Sequence, residues 1–310
     1  MEHRAIGNLK VSVVGLGCNN FGARCDESQT GAVVNAALDS GINFFDTADV
    51  YGGTLSEEYL GKALALRRDE VVIATKFGNP LSEPESGGQS ARWIARAIEG
   101  SLRRLGTDRV DLYQLHIPAG DAPMEETLEA LNRLVAEGKV LEIGCSNFSN
   151  EQVDESVGIS DQKSFPRWAS AQNHYNLLFR EAEENVLPAC RRHQLGFLPY
   201  FPLAHGLLTG KYRRGETPPP GTRLAGAPED RRSRILNERN FEVVEKLEAF
   251  AAERGHSLLE LAISWLAAQS QVASVIAGAT KPEQAEANAA AASWKVDDAT
   301  LRDIDQITSS

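Results

Sequence analysis

Eight times along the chain a short apolar run rich in β-branched residues gives way to a helical pattern. That alternation constrains the fold more than any other feature. The strand candidates are residues 11–16, 42–46, 71–76, 110–116, 140–145, 169–173, 196–200 and 272–277. Most are continuous apolar runs with little polar alternation, the pattern of strands covered by helices on both faces of a parallel sheet. Helices are expected over 28–40, 56–66, 89–105, 123–137, 149–156, 182–193, 240–268 (broken near Gly255), 282–291 and 297–307. Gly41, Gly106 and Gly138 follow three of them as C-terminal caps, and Ser56-Glu57-Glu58 puts a cap and two acids in one first turn.

Eight strand–helix units in 310 residues predict a (β/α)8 TIM barrel, an α/β fold in a single domain over residues 1–310, with no linker to divide it. A doubly wound sheet is the alternative and needs a glycine fingerprint for its dinucleotide. The nearest match, Gly15-Leu16-Gly17-Cys18-Asn19-Asn20, has Asn20 in place of the third glycine. Residues 206–211 also fail as a P-loop, because His205 stands at the first glycine position and Tyr212 follows Lys211.

Composition excludes several function classes. Forty-three acidic against 32 basic residues give a net charge of −11, the wrong sign for a general nucleic-acid or anionic-membrane binder. An anionic ligand would need local positive charge. No apolar run is long enough to span a bilayer, and the first ten residues have no signal-peptide core. Cys18, Cys25, Cys145 and Cys190 include no CxxC pair, so neither a zinc ribbon nor a redox dithiol is expected. Four scattered thiols in a chain of this length fit a reducing, cytoplasmic setting.

Catalytic residues of barrels sit at the C-terminal ends of strands. Here those ends carry Asp46 with Tyr51 just beyond it, Lys76 and His116, which should converge on one mouth. Together they make a proton-donor device. A free tyrosine, with a pKa near ~10, is a weak acid at neutral pH, and an adjacent ammonium favours its phenolate. Lys76 supplies the ammonium, Asp46 pairs with it, His116 hydrogen-bonds a carbonyl oxygen or relays a proton, and Tyr51 protonates that oxygen. Taken singly, Asp46 reads as a loop cap, Tyr51 as a packing aromatic and His116 as a core histidine. Four on successive strand ends argue against that.

Phe45-Asp46-Thr47-Ala48, Tyr51-Gly52, Ser56-Glu57, Leu60-Gly61-Lys62-Ala63-Leu64, Ala74-Thr75-Lys76 and Leu115-His116 resemble the signatures of the aldo-keto reductase superfamily. The resemblance runs from about Val13 to Asn288. It implies a barrel that binds NADP(H) across its strand ends and reduces an aldehyde or ketone to the alcohol, reversibly and without a metal. Asp46, Tyr51, Lys76 and His116 are then the catalytic tetrad. In the family, Ser146, Asn147 and Gln172 would hold the nicotinamide carboxamide and Tyr200 would stack on its ring. Neutral amides and hydroxyls at buried strand ends suit an amide ligand, which needs both donors and acceptors.

The same resemblance makes Phe201, Pro202, Leu203, Gly206, Leu208, Gly210 and Lys211 a cofactor-wrapping segment, and Gly278, Thr280, Lys281, Gln284 and Asn288 the site of the adenine and 2′-phosphate. Phe201 stands where many members have serine, Gln284 where some have arginine and Ala287 where glutamate is common. Lys281 remains as the cationic partner, which favours NADP over NAD. Phe21, Phe77 and Phe148 are pocket candidates by position.

Residues 211–234 form a proline-rich stretch with seven lysines and arginines against three acids. It reads either as a solvated loop or as a cofactor-side belt across a pyrophosphate. The partner expected for the whole chain is a small carbonyl compound, with no nucleic acid and no membrane. The same resemblance leaves a second role open, that of a cofactor-binding regulatory subunit like those associated with ion channels. Oligomeric state and physiological substrate are not encoded in any motif.

Overall fold

A computed structural model describes residues 1–82, 86–118, 120 and 122–309. The chain begins with an antiparallel hairpin, β1 (His3–Ile6) and β2 (Leu9–Ser12), turning through Gly7 and Asn8. Eight parallel strands follow. They are β3 (Val14–Gly17), β4 (Phe44–Asp46), β5 (Val72–Phe77), β6 (Val110–Leu115), β7 (Val140–Ser146), β8 (Ser170–His174), β9 (Gly196–Tyr200) and β10 (Val275–Gly278). From β3 to β9 each pairs with the next in sequence, and β10 returns to pair with β3. Between β9 and the segment leading into β10 the closure is thinner, a single isolated bridge. The Phe197 N–H donates to Gln271 O at 2.8 Å, and the Ala273 N–H donates to Phe197 O at 2.9 Å. With helices covering the outside, this is the expected (β/α)8 barrel.

Two apolar clusters follow from the two faces of the strands. One packs the sheet against the helices. The other fills the barrel itself with Phe44, Val72, Ala74, Leu112, Ala169, Leu198, Ala273 and Ile276. Ile6 and Val11 of the hairpin join this inner cluster, so β1 and β2 stopper the end of the barrel where the strands begin. Arg4 ties the stopper down by donating to Val272 O and Ala267 O, both at 2.6 Å. Strand residues two apart share a face. Asp46 therefore sits one layer above Phe44, Lys76 above Ala74, and Gln114 above Leu112. A polar layer lies on an apolar one, and only its upper side opens outward.

The structure corrects several expectations. The run 11–16 is not one strand, because Val11 and Ser12 belong to the hairpin and the barrel strand starts at Val14. The helix expected over 149–156 continues to Lys163, because its buried stripe includes Ser156 and Ser160, which hide it from an apolar count. Ser160 Oγ donates to Pro166 O at 3.0 Å, and Trp168 Nε1 donates to Ser156 Oγ at 2.7 Å, so neither hydroxyl is stranded. The helix over 182–193 divides at Val186. The stretch 211–234 is not wholly irregular, since Glu229–Ile235 is helical.

Candidate active site

Asp46 and Lys76, on adjacent strands, meet above the apolar layer. Lys76 Nζ donates to Asp46 Oδ2 at 2.6 Å and to Thr47 O at 2.9 Å. It lies 5.2 Å from the centre of the Tyr51 ring. The Tyr51 ring meets His116 edge-on, with centroids 5.7 Å apart. The turn after Tyr51 depends on Gly52, whose φ is +60° and where a Cβ would collide with the Phe21 carbonyl oxygen. The four residues expected to converge do so.

Their electrostatics differ from the simple expectation in one respect. Burial pushes the Tyr51 phenol above its ordinary pKa, and this outweighs the downward pull of the Lys76 ammonium. The phenol is thus held protonated rather than made more acidic. Burial works to lower the Lys76 pKa, but the attraction of Asp46 and Tyr51 prevails and leaves it raised. His116 is driven down to about 3 by burial and then by the Lys76 ammonium, so its imidazole is neutral.

A cavity of about 740 Å³ opens over these groups. Asp46, Tyr51 and His116 line it, together with Ser146, Asn147, Gln172 and Tyr200. Phe201, Pro202, Leu203, Gly206 and Lys211 belong to the same wall, as do Gly278, Thr280, Lys281, Gln284 and Asn288. Lys76 is fully buried behind this surface. Leu208, also buried, and Gly210 lie outside the lining. Phe21, Phe77 and Phe148 are core residues with no exposed surface and do not line it either.

The Aldo/keto reductase family model matches residues 13–309. The chain belongs to the aldo/keto reductase family. It is 35% identical to a probable voltage-gated potassium channel subunit beta of Oryza sativa subsp. japonica, over 92% of this chain and 89% of that one. It is 32% identical to the NADP(+) aldo-keto reductase yakc of Schizosaccharomyces pombe, over 97% of this chain and 89% of the relative. The solved structure of a glycerol dehydrogenase from Gluconobacter oxydans superimposes with a TM-score of 0.85 at 31% identity, covering 98% of this chain and 94% of that one. Like its family, the protein is an oxidoreductase served by a nicotinamide cofactor.

The cavity of this oxidoreductase fits such a ligand. Arg24, Lys211, Arg223 and Lys281 all line it, and none pairs with a carboxylate among the described residues. Burial and the nearby Arg24 and Arg231 hold the Arg223 pKa below its ordinary value, a sign of positive charge without a counter-ion. Its guanidinium lies 5.3 Å from the centre of the Phe201 ring. By contrast, Arg213, Arg214, Arg232 and Arg234 of the same stretch are paired with Glu248, Glu245, Glu229 and Asp230. The stretch thus divides into a solvated, ion-paired part and a part turned to the cavity. Arg24 Nη2 donates to Gly221 O at 2.7 Å, joining the loop after β3 to this stretch.

Backbone conformation marks the same place. Asn147, Phe201, Ala204 and His205 all have positive φ, between 44° and 61°, and three of them line the cavity. Non-glycine residues in that region persist where surrounding structure over-determines them. Asn147 is held by four groups. Its Nδ2 donates to His116 O at 2.9 Å and Ser146 Oγ at 3.1 Å, its Oδ1 accepts from the Tyr200 phenol at 2.8 Å, and its backbone N–H donates to Gln172 O at 3.0 Å. Elsewhere in the lining, Gln284 Oε1 accepts from the Thr280 N–H at 2.8 Å and from its hydroxyl at 3.1 Å, which spends its acceptor and leaves its amide N–H groups.

Sequence reasoning missed two supporting amides. Gln114, fully buried on β6, donates to Asp46 Oδ1 at 3.1 Å. Gln172 Nε2 donates to the same oxygen at 2.9 Å and to Gln114 Oε1 at 3.2 Å. A carboxylate only accepts, so the direction of both amides is set. Gln172 turns its nitrogen to Asp46, and its carbonyl oxygen is what remains for a ligand. Gly144 gives Gln114 its room, since a Cβ there would come within 3.0 Å of Gln114 Cγ. The signal in the sequence was an amide at an inward-facing position of a buried strand. The second missed residue, Asn79, lies beyond β5 with its Nδ2 3.0 Å from His116 Nδ1.

Proposed function

We propose that the protein reduces an aldehyde or ketone to the corresponding alcohol, reversibly, with NADPH as the reductant. The reading rests on one observation: the buried Lys76–Asp46 pair lies beneath Tyr51 and beside His116 in a single cavity. A bound reduced nicotinamide is a hydride donor. The chain's own part is to bind it, orient the carbonyl compound and deliver a proton. His116, neutral, donates a hydrogen bond to the carbonyl oxygen. Tyr51 gives up its proton as charge grows on that oxygen, and the Lys76 ammonium stabilises the phenolate left behind. Asp46 keeps Lys76 charged and pointed at the ring.

The proposed cofactor contacts are Ser146, Asn147 and Gln172 for the carboxamide and Tyr200 for the ring face. Arg24, Lys211 and Arg223 would take the pyrophosphate, and Lys281 the 2′-phosphate. Preference for NADP over NAD is supported by Lys281 and by the NADP(+) relative. The four cysteines are unpaired and buried, which supports a reducing compartment such as the cytoplasm.

A screen of NADPH oxidation across aldehydes, ketones, quinones and sugars tests the reading, together with Tyr51→Phe. The variant should keep NADPH binding and lose about 10²–10⁴ in kcat, the usual scale of a general acid. A variant with parental kcat, where hydride transfer limits turnover, would falsify the assignment. A second reading, a regulatory subunit that binds cofactor, is favoured by the likeness to the rice channel subunit. Tight NADPH binding with no turnover in any substrate class would decide for it.

A further inference from the structure

The reaction proposed above asks His116 for a hydrogen-bond donor, and a neutral imidazole has only one N–H to give. Which nitrogen carries it decides whether the ring offers a donor or an acceptor beside Tyr51. His116 itself cannot settle this, because the two tautomers of a free imidazole interconvert readily. The choice falls to whatever touches the other nitrogen.

That neighbour is Asn79. It lies two residues past the end of β5, half-buried in the wall of the cavity, with its amide Nδ2 3.0 Å from His116 Nδ1. With its NH₂ turned to the ring, this amide donates, which pairs it with a lone pair on Nδ1 and assigns the proton to Nε2. The histidine is not free to slide away from this contact. Its backbone N–H donates to Phe77 O at 2.8 Å, and its carbonyl accepts from Asn147 Nδ2 at 2.9 Å. The charged and titratable groups against the ring are Lys76 on β5 and Tyr51 after β4. The Lys76 ammonium cannot accept, and Tyr51 meets the ring edge-on with no hydrogen bond to Nδ1 among the described residues.

We propose that Asn79 is a positioning residue that fixes His116 as the Nε2–H tautomer and so makes it a hydrogen-bond donor toward the substrate oxygen. This rests on the carbonyl-reduction reading for its catalytic consequence. The tautomer assignment itself is independent of that reading.

The isosteric change Asn79→Asp isolates the effect. It keeps the shape and replaces a donor by a pure acceptor, which can be satisfied only by an Nδ1–H. The test is nitrogen NMR of the full-length protein with ¹⁵N-labelled histidine rings, the His116 signals being assigned by their loss in His116→Gln. The wild type should show Nε2 protonated and Nδ1 unprotonated, with no titration across neutral pH. Asn79→Asp should show Nδ1 protonated, and a titration should enter the accessible range. Asn79→Leu, which removes the contact, should show both tautomers.

Carbonyl reduction by Asn79→Asp should fall in kcat by about 10- to 100-fold, the scale of losing one donor to a developing oxyanion, with NADP⁺ affinity held within about twofold. A merely structural role would lower stability without moving the proton from one nitrogen to the other. A wild-type proton on Nδ1, or Asn79→Asp spectra identical to the parent, overturns the proposal whether or not the enzyme turns over. The expected spectra in a wild type that reduces no carbonyl compound uphold Asn79 as the residue that sets the tautomer and overturn only the reaction above.

Discussion

Lys76 Nζ and Asp46 Oδ2 stand 2.6 Å apart in a place where neither side chain has meaningful contact with solvent. Such a pair is costly to break from one side, because the charge left behind keeps its desolvation penalty and loses its partner. Lys76→Met should therefore lower the unfolding free energy by about 3–5 kcal/mol, even though Asp46 retains its bonds from Gln114 and Gln172. Replacing both partners by apolar residues should recover part of that loss. Urea titrations of the single and double variants measure it, and a Lys76→Met protein as stable as its parent would show the pair to be solvated.

Cofactor choice should depend on Lys281. It is an exposed residue of the cavity lining, at the start of the helix Pro282–Ala291, while the neighbouring Gln284 spends its acceptor on Thr280. Lys281→Ala should weaken NADPH binding by about 1.5–3 kcal/mol, the worth of one charge-assisted contact, and leave NADH nearly untouched. Fluorescence titration with both cofactors checks this. An equal loss for the two sinks the assignment.

The bond between Arg24 and Gly221 should slow the escape of the dinucleotide. Arg24→Ala unties the loop after β3 from the stretch that carries Arg223, so NADPH should leave faster, while the rate of hydride transfer in a single turnover changes little. Added salt should also speed release from the parent, since Arg24 and Lys211 are exposed. Stopped-flow fluorescence reads both. An off-rate insensitive to the substitution assigns the stretch no more than a surface role.

Asp49 predicts a pH effect on stability. It is fully buried, both carboxyl oxygens lack a hydrogen-bond partner among the described residues, and burial with Glu57 nearby raises its pKa to about 8. An unfolded aspartate titrates near ~3.9, so between those values the folded protein holds a proton that the unfolded chain has released. The stability this group contributes is present in full below the unfolded pKa and is lost as pH rises through the folded one. Asp49→Asn removes the titration. Relative to the parent, it should gain about 1.4 kcal/mol per pH unit from about pH 5 to about pH 7.5, then level off. Denaturation curves at several pH values test this, and a pH-independent difference between the two proteins contradicts it.

The barrel was legible because its strands are apolar on both faces, and a buried parallel strand leaves little else to read. The meeting of Asp46, Tyr51, Lys76 and His116 was legible because Lys76 ends such a strand, where a charge needs a partner. The hairpin was harder. Its strands are four residues each, and the second runs almost directly into the barrel at Val14, so residues 11–16 looked like one element. Gly7-Asn8 was the available turn signal. Gln114 could be found by inward parity on β6, but its bond to Asp46 spans two strand positions and needs the closed sheet. Asn79 left no sequence signal, because its contact with His116 depends on the path of a loop. The acidity of Tyr51 was misjudged for a similar reason: the ammonium beside it is visible in the sequence, whereas the depth of its burial is not.

The hairpin that stoppers the barrel also gives the molecule a back. Met1 is 44% exposed and stands at the end of the barrel away from the cavity. A tether fixed there, to an electrode, a bead or a fused partner, would hold the molecule with its opening facing the solution. Immobilised through its N-terminus, the protein should take up ligand about as freely as it does in solution, while attachment through Lys211 or Lys281 would turn the opening toward the support.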